Sequence, residues 1–489
     1  MSSLSSALRA AIERHARANR IAIVGHFDPV SYAALGERID GFAAAALAWG
    51  VGRGEVVGIS TARSVDTVAL FFGLMRAGAC PCVMEPRLTP ETALLRMRAV
   101  GMRRLVVDRD NVKLGTEVTA AGMSVGLAEM DGNGQSKARK MPSLAHDDLA
   151  MMQFTSGSTG QPKGVLLTHG NLLCNAEGVI AHTRLTPDDR LLHVMPLHHT
   201  NGINNQLLAP FIAGASVALM ERFRAEDVEE QIAEFKPTYM TGVPTMYSRV
   251  VPHLSDRGKR SSLRFLRCGS APITTELHRQ IEDAFGVPLV VSYGLSEATC
   301  TSTMNPPGAR RVGTVGTVLR GQRVALMKPG TLDEVAPLAE GEICISGPCL
   351  MKGYVGAGAE QPIQDGWLRT GDLGRFDADG YLAITGRIKD VIIRGGENLS
   401  PQLIEGVIVQ HRAVRACCVV GGPHADLGEV PVAFVALRAG ERLEEGEVKA
   451  LVESKLSRMY MPDSVRFVES LPENSIGKVD RKALRKLLA

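Results

Sequence analysis

The chain has 489 residues, about three domain equivalents, of which 45% are hydrophobic and 22% charged. That balance excludes a disordered, collagenous or fibrous protein and allows a large core without staples. With 55 Lys plus Arg against 52 Asp plus Glu, the net charge of +3 gives no electrostatic case for a nucleic-acid or membrane-surface partner.

From the N-terminus, Leu4, Leu8 and Ile12 recur at helical spacing, with no apolar stretch of signal-peptide type. No run approaches the ~20 apolar residues of a membrane span. Nine dispersed cysteines without a CxxC indicate neither a disulfide framework nor a zinc site, so a soluble cytoplasmic protein with reduced thiols is expected. The pattern predicts a helix over 64–77, capped by Ser64 and stopped by Gly78, then a strand over 80–84. Residues 131–140 read as a polar surface loop. A strand is predicted over 191–197, ending in His198 and His199. An apolar run at 265–268 leads into a turn, then a helix capped by Thr275 and ended by Gly286, then a buried strand over 288–292. Such alternation implies parallel sheets covered by helices. Residues 310–350 read as a small β subdomain. The last hundred residues read as a separate α/β unit: a strand at 391–394, a helix capped by Ser400 with Pro401 at its first position, strands at 416–420 and 430–437, a helix at 447–456 and a strand at 465–468. The expected fold class is therefore α/β, with a large domain at 1–388 and a small one at 389–489.

One segment carries most of the chemistry. Between two apolar strands lie Thr155, Ser156, Gly157, Ser158, Thr159 and Gly160, followed by Lys163. Glycines let backbone N–H groups converge on an anion, hydroxyls add donors, and lysine adds a point charge, so this is a phosphate-binding loop. Its spacing is not that of GxxxxGK[ST]. Two other patterns fail: Gly294-Leu295-Ser296-Glu297-Ala298 lacks the final glycine of a serine-hydrolase elbow, and no GxGxxG occurs. Asp372, in a Thr-Gly-Asp turn after Trp367, has a carboxylate able to hold two ribose hydroxyls, with Arg387 as a further donor. Glu297 can hold Mg²⁺ on phosphates.

The segment FTSGSTGQPKG resembles the signature loop of adenylate-forming enzymes: acyl-CoA synthetases, adenylation domains and luciferases. Five more segments resemble that family in its order: 195–202, 293–297, 366–374, 386–390 and 474–478. The resemblance implies a large N-terminal domain and a small mobile C-terminal one. It implies that Gly269, Ser270, Ala271, Pro272, Tyr293, Gly294 and Ser296 lie against the nucleotide, and that His199 gates the carboxylate pocket. His198 departs from the family's usual aromatic residue. The resemblance further implies that Lys478 enters the site during adenylation, that Lys389 is the hinge, and that Gly395, Gly396 and Glu397 line a coenzyme A channel. Candidate acyl-pocket residues are His199, Asn204, Asn205, Thr241, Gly242, Val243, Gly294 and Cys300. Arg310 and Arg311 are candidates to anchor a second carboxylate, with a solvated surface pair as the alternative. The implied activity is an AMP-forming acid–CoA ligase using ATP, Mg²⁺, coenzyme A and a small or medium acid. A stand-alone enzyme loading a carrier protein is the alternative, and a homodimer stays open.

Overall fold

The computed structural model describes residues 3–86, 88–127, 140–155, 162–356, 361–473 and 479–488. The described residues form five sheets. The largest runs, edge to edge, through Thr317–Val318, Thr303–Met304, Leu289–Tyr293, Phe265–Cys268, Tyr239–Gly242, Arg190–His193, Ser216–Leu219, Ile21–Gly25 and Phe27–Ser31. The strands from Leu289–Tyr293 to Ile21–Gly25 are all parallel, and the edges are antiparallel. A second sheet, Cys80–Val83, Val56–Ser60, Arg104–Val107 and Ser124–Leu127, is parallel throughout. Parallel strands must be buried on both faces, which explains their mainly apolar composition.

Helices cover these sheets where caps and apolar faces coincide. Ser64 accepts from the Thr67 amide and starts Val65–Arg76, which buries Leu70, Phe71, Phe72 and Leu74. Each such side chain contributes about 1.5–3 kcal/mol. The helix Thr275–Phe285 starts one residue earlier than expected, because Thr274 rather than Thr275 accepts from the Leu277 amide. Gly286 ends it at φ +73, the left-handed conformation a C-cap needs.

Leu149–Thr155 pairs antiparallel with Lys163–Thr168, and Gly353–Val355 adds a third strand. The β region expected at 310–350 is larger than that span. Arg323–Met327 and Gly341–Ser346 belong to an antiparallel sheet that continues through Trp367–Phe376, Ile363–Gln364 and Leu382–Arg387. Asp372 is thus inside a bulged ten-residue strand rather than a turn. The C-terminal sheet joins Glu397–Leu399, Ile392–Arg394, Gly428–Leu437, Val414–His424 and Ser464–Val468. Residues Ile388–Asp390 form a 3₁₀ turn between the last strand of one sheet and Ile392–Arg394 of the other. Ser400 precedes the helix Pro401–Ile408 as expected, but its hydroxyl makes no cap and donates instead to the Thr385 carbonyl at 2.6 Å, tying the two sheets together. Of the loop expected at 131–140, residues 131–139 lie outside the described residues.

Candidate active site

Open α/β sheets bind ligands beyond the carboxyl ends of their parallel strands. Here those ends carry the segments singled out above. Leu289–Tyr293 leads into Gly294, where a Cβ would stand 2.1 Å from the Cys300 carbonyl oxygen, so glycine alone fits. The chain then makes a 3₁₀ turn at Ser296–Ala298, with Thr299 at φ +64 and Cys300 at φ +125. In the adjoining turn after Phe265–Cys268, Ser270 has φ +66. Left-handed conformations of non-glycine residues cost about 1–3 kcal/mol and cluster at functional sites.

Glu297 accepts a hydrogen bond from the Tyr354 hydroxyl at 2.6 Å. Burial, together with the Glu297 charge, raises the Tyr354 phenol well above its ordinary range, so it remains a donor. On the other side of Tyr354, Lys163 Nζ lies 5.7 Å from the ring centroid. Lys163 pairs in register with Thr155. Ser296 joins the same region through a 2.9 Å contact between its hydroxyl and that of Thr200. Ser156, Gly157, Ser158, Thr159 and Gly160, between those two strands in sequence, lie outside the described residues.

Asp372 is held from three directions. Its Oδ2 accepts from the Tyr293 hydroxyl at 2.8 Å and its Oδ1 from Arg387 Nε at 2.5 Å. Its amide donates to Thr370 Oγ1 at 3.1 Å. The bulge before it is set by buried Glu342, which accepts from Arg369 and from the Gly371 amide. The hydrogen bond to Asp372 raises the Arg387 pKa, and burial, reinforced by the same carboxylate, raises that of Tyr293. Two carboxylate oxygens offer about four acceptor positions, so two remain for a ligand.

The histidine pair departs from expectation. The strand ends at His193, and His198 and His199 lie in the turn beyond it, their ring centroids 4.5 Å apart. The Gln153 side-chain amide donates to the His198 carbonyl. Burial lowers the His198 pKa, leaving its ring neutral at pH 7. A π-helical turn, Asn201–Leu208, follows. Asn204 is fully buried and donates to Asn175 Oδ1 at 2.6 Å. Asn205 donates toward Cys300 Sγ at 2.8 Å and Thr301 Oγ1 at 3.2 Å. Thr241 and Gly242 end the strand Tyr239–Gly242, and Val243 precedes the helix Pro244–Val250. The structure therefore brings Asn205 and Cys300 together and ties Asn204 to Asn175 of the neighbouring helix.

Arg310 and Arg311 are no anchor for a substrate here. Arg310 pairs with Glu282, and Arg311 with Asp377 and Asp379 while lying 4.2 Å over the Tyr381 ring. Two residues escaped the sequence reading. Tyr354 is 57 positions from Glu297, and nothing local marks it. Arg267 sits inside the strand Phe265–Cys268 and is 3% exposed; a charge in an otherwise apolar four-residue strand was the available signal.

In the C-terminal sheet, Gly395 (φ +58) and Gly396 (φ +91) form a two-residue hairpin turn that leads into Glu397, and all three are exposed. Lys389 is exposed within the 3₁₀ turn; its carbonyl and Asp390 lie 3.5 Å from Arg485 Nη2. Lys478 lies outside the described residues, but Glu473, just before its loop, pairs with Arg249 of the helix Pro244–Val250 at 3.1 Å. A surface cleft of about 430 Å³ lined by Arg20, Asp188 and Lys236 opens at the opposite, amino ends of the strands and contains none of these residues.

No helix among the described residues is long and apolar enough to cross a membrane. The sequence profile of the AMP-binding enzyme family matches residues 9–355, and that of the AMP-binding enzyme C-terminal domain matches 403–478. The chain is 34% identical over 457 residues to the sulfoacetate–CoA ligase of Cupriavidus necator, covering 89% of this chain and 88% of the relative. It is 32% identical over 444 residues to a 2-succinylbenzoate–CoA ligase of Bacillus cereus, covering 90% and 89%. Among solved structures it resembles ATP-bound MatB from Rhodopseudomonas palustris, with a TM-score of 0.93 and 30% identity over 100% of this chain and 99% of that one. It also resembles the o-succinylbenzoate CoA synthetase MenE of Bacillus subtilis in complex with its acyl-adenylate intermediate, with a TM-score of 0.86 and 26% identity over 97% of each chain. The chain belongs to the AMP-binding enzyme family.

Proposed function

We propose that this protein is an AMP-forming carboxylic acid–CoA ligase whose site is the strand-end cluster described above. The observation that carries the reading is the convergence of Thr155 and Lys163, Glu297 with Tyr354, and Asp372 with Tyr293 and Arg387 from three different sheets. In the first half-reaction an acid carboxylate oxygen attacks the α-phosphorus of ATP, and the bond to pyrophosphate breaks. In the second, the thiol of coenzyme A loses its proton and attacks the acyl carbonyl, and AMP leaves with the bonding pair. A carboxylate alone would have to expel oxide; the mixed anhydride gives it a good leaving group. The protein's part is positioning and charge stabilisation.

In this reading Asp372 holds the ribose hydroxyls, and the 155–163 loop holds the phosphates. Ser270 and Tyr293 lie by the adenine, and His199 closes the carboxylate pocket. Mg²⁺ suits the donor set: it binds through one or two carboxylates plus substrate phosphates, and Glu297 supplies one carboxylate oriented by Tyr354. Bound there, the ion would neutralise charge on the phosphates. The acids named for the relatives, sulfoacetate and 2-succinylbenzoate, support a carboxylic acid as substrate and CoA as acceptor. The test is pyrophosphate release across a panel of acids with and without CoA. The expected result is a CoA-dependent thioester; adenylate formed but passed only to a carrier protein would replace this reading with the carrier-loading one.

The hinge at Lys389 follows from a conflict between the two steps. Lys478 must stand at the phosphates in step one, and CoA must reach the same carbonyl in step two. The Arg249–Glu473 pair supports the first arrangement. The exposed Gly395–Glu397 turn would line the thiol path only after the C-terminal domain rotates. Proline suits the φ of a 3₁₀ turn but fixes it and restricts Ile388. Lys389→Pro is therefore expected to keep adenylation while slowing thioester formation by about tenfold or more. Near wild-type rates in both half-reactions, measured separately by pyrophosphate release and by thioester formed from synthetic acyl-AMP, would remove Lys389 from the hinge.

A further inference from the structure

Among the described residues, the interior of the main sheet holds a cation with no anion. Arg267 is 3% exposed, and among the described residues no carboxylate pairs with it. Arginine stays protonated at neutral pH, and an unpaired buried charge is expensive. Its one hydrogen-bond partner among the described residues is a hydroxyl, with Nη2 donating to Thr301 Oγ1 at 2.7 Å. Nε is buried without an acceptor among the described residues. The ionisable neighbours do not supply the missing charge: burial holds the Cys300 thiol and the Tyr239 and Tyr247 phenols protonated. Two other interior arginines differ. Arg260 pairs with Glu229, and Arg63 is satisfied by the carbonyls of His193, Val194 and Met220.

The location gives this orphan charge its meaning. Arg267 stands beside Thr241 in register, one residue before the end of its strand, so both side chains point to the same face of the sheet. Across that face Asn205 shares Thr301 Oγ1 with Arg267 and reaches Cys300. Thr241 Oγ1 and Asn205 Oδ1 are themselves buried without partners among the described residues. Thr301 is fixed from behind, its carbonyl accepting from Asn175 and Gln322, each at 2.7 Å. Thr241, Asn205 and Cys300 are among the acyl-pocket candidates, and the strand bearing Arg267 runs directly into the Gly269–Pro272 turn. A substrate carboxylate reacting at the strand ends would thus have Arg267 roughly 7 Å below it, two residues at about 3.3 Å each.

We infer that Arg267, with Thr241, Asn205 and Thr301, binds a second anionic group at the far end of a short acid substrate. A carboxylate or sulfonate would accept from the guanidinium fork and from Thr241 Oγ1. This rests on the ligase reading and narrows its substrate to short acids carrying two negative charges.

The experiment compares kcat/KM for CoA-thioester formation with malonate, succinate, glutarate and sulfoacetate against propionate, butyrate and valerate. The wild-type enzyme is expected to prefer a doubly charged acid over its singly charged counterpart by at least about tenfold. Arg267→Met should bring that ratio near one, with a thermal midpoint no lower than wild type, since an apolar residue replaces an uncompensated charge. Arg267→Lys should restore part of the preference, having the charge without the fork. Should Arg267→Met not fold, the wild-type series and Arg267→Lys decide. Preference for the monocarboxylates, or a preference for diacids that survives Arg267→Met, overturns the inference and leaves the ligase reading intact. No thioester from any acid overturns the ligase reading itself.

Discussion

Lys478→Ala is expected to lower acyl-adenylate formation by at least about 100-fold, since losing a preorganised charge contact at a transition state costs ~3 kcal/mol or more. Attack of a carboxylate on the α-phosphate brings two anions together, and the barrier is largely electrostatic. The described residues on either side of positions 474–478 are tied to the large domain. Glu473 bridges to Val479 and pairs with Arg249, on the helix that begins directly after Val243. That exposed pair contributes little energy by itself. Thioester formation from synthetic acyl-AMP should survive far better if, as proposed above, a domain rotation takes Lys478 away before that step. Equal loss in both half-reactions would refute the assignment.

Asp372→Ala should weaken ATP binding by about 100-fold while leaving the fold intact. Two hydrogen bonds to a charged group at ~1.5 kcal/mol each sum to about 3 kcal/mol, and each 1.4 kcal/mol is tenfold. Asp372 is 6% exposed, and the geometry of its carboxylate is fixed before any nucleotide arrives, by Tyr293, Arg387 and the Glu342-braced bulge. Alanine also strands the Tyr293 hydroxyl, which destabilises the protein by about 1–3 kcal/mol. In a chain of this size that lowers the thermal midpoint only modestly. Calorimetric titration with ATP decides the matter: an affinity within twofold of wild type would make Asp372 an internal brace for Arg387 and nothing more.

Much of this protein was readable before its structure. Ser64, Gly78 and Gly286 mark helix ends because caps act within one turn, through the local backbone. The apolar runs at 265–268 and 288–292 became parallel strands within a residue of where they were expected, because burial on both faces leaves no alternation to misread. The segments around Thr155, Glu297, Asp372 and Arg387 were visible because each carries its chemistry in a few consecutive residues.

Tertiary structure decided everything that depends on which strand lies beside which. Asp372 read as a turn residue because Thr-Gly-Asp is turn chemistry; pairing with Gly341–Ser346 and Leu382–Arg387 drew it into a bulged strand. Arg310 and Arg311 read as candidate anchors because their partners, Glu282, Asp377 and Asp379, are 28 to 68 positions away. Tyr354 was invisible until strand pairing with Lys163–Thr168 set it between Lys163 and Glu297. Arg267 is the sharpest case. Its own strand says only that an arginine alternates with apolar neighbours. Whether that side chain meets water, a carboxylate or an empty acceptor position depends on the π-helical turn and the 299–302 segment packed across the sheet. Periodicity along one strand specifies which residues share a face, but what covers that face is set by contacts between distant parts of the chain.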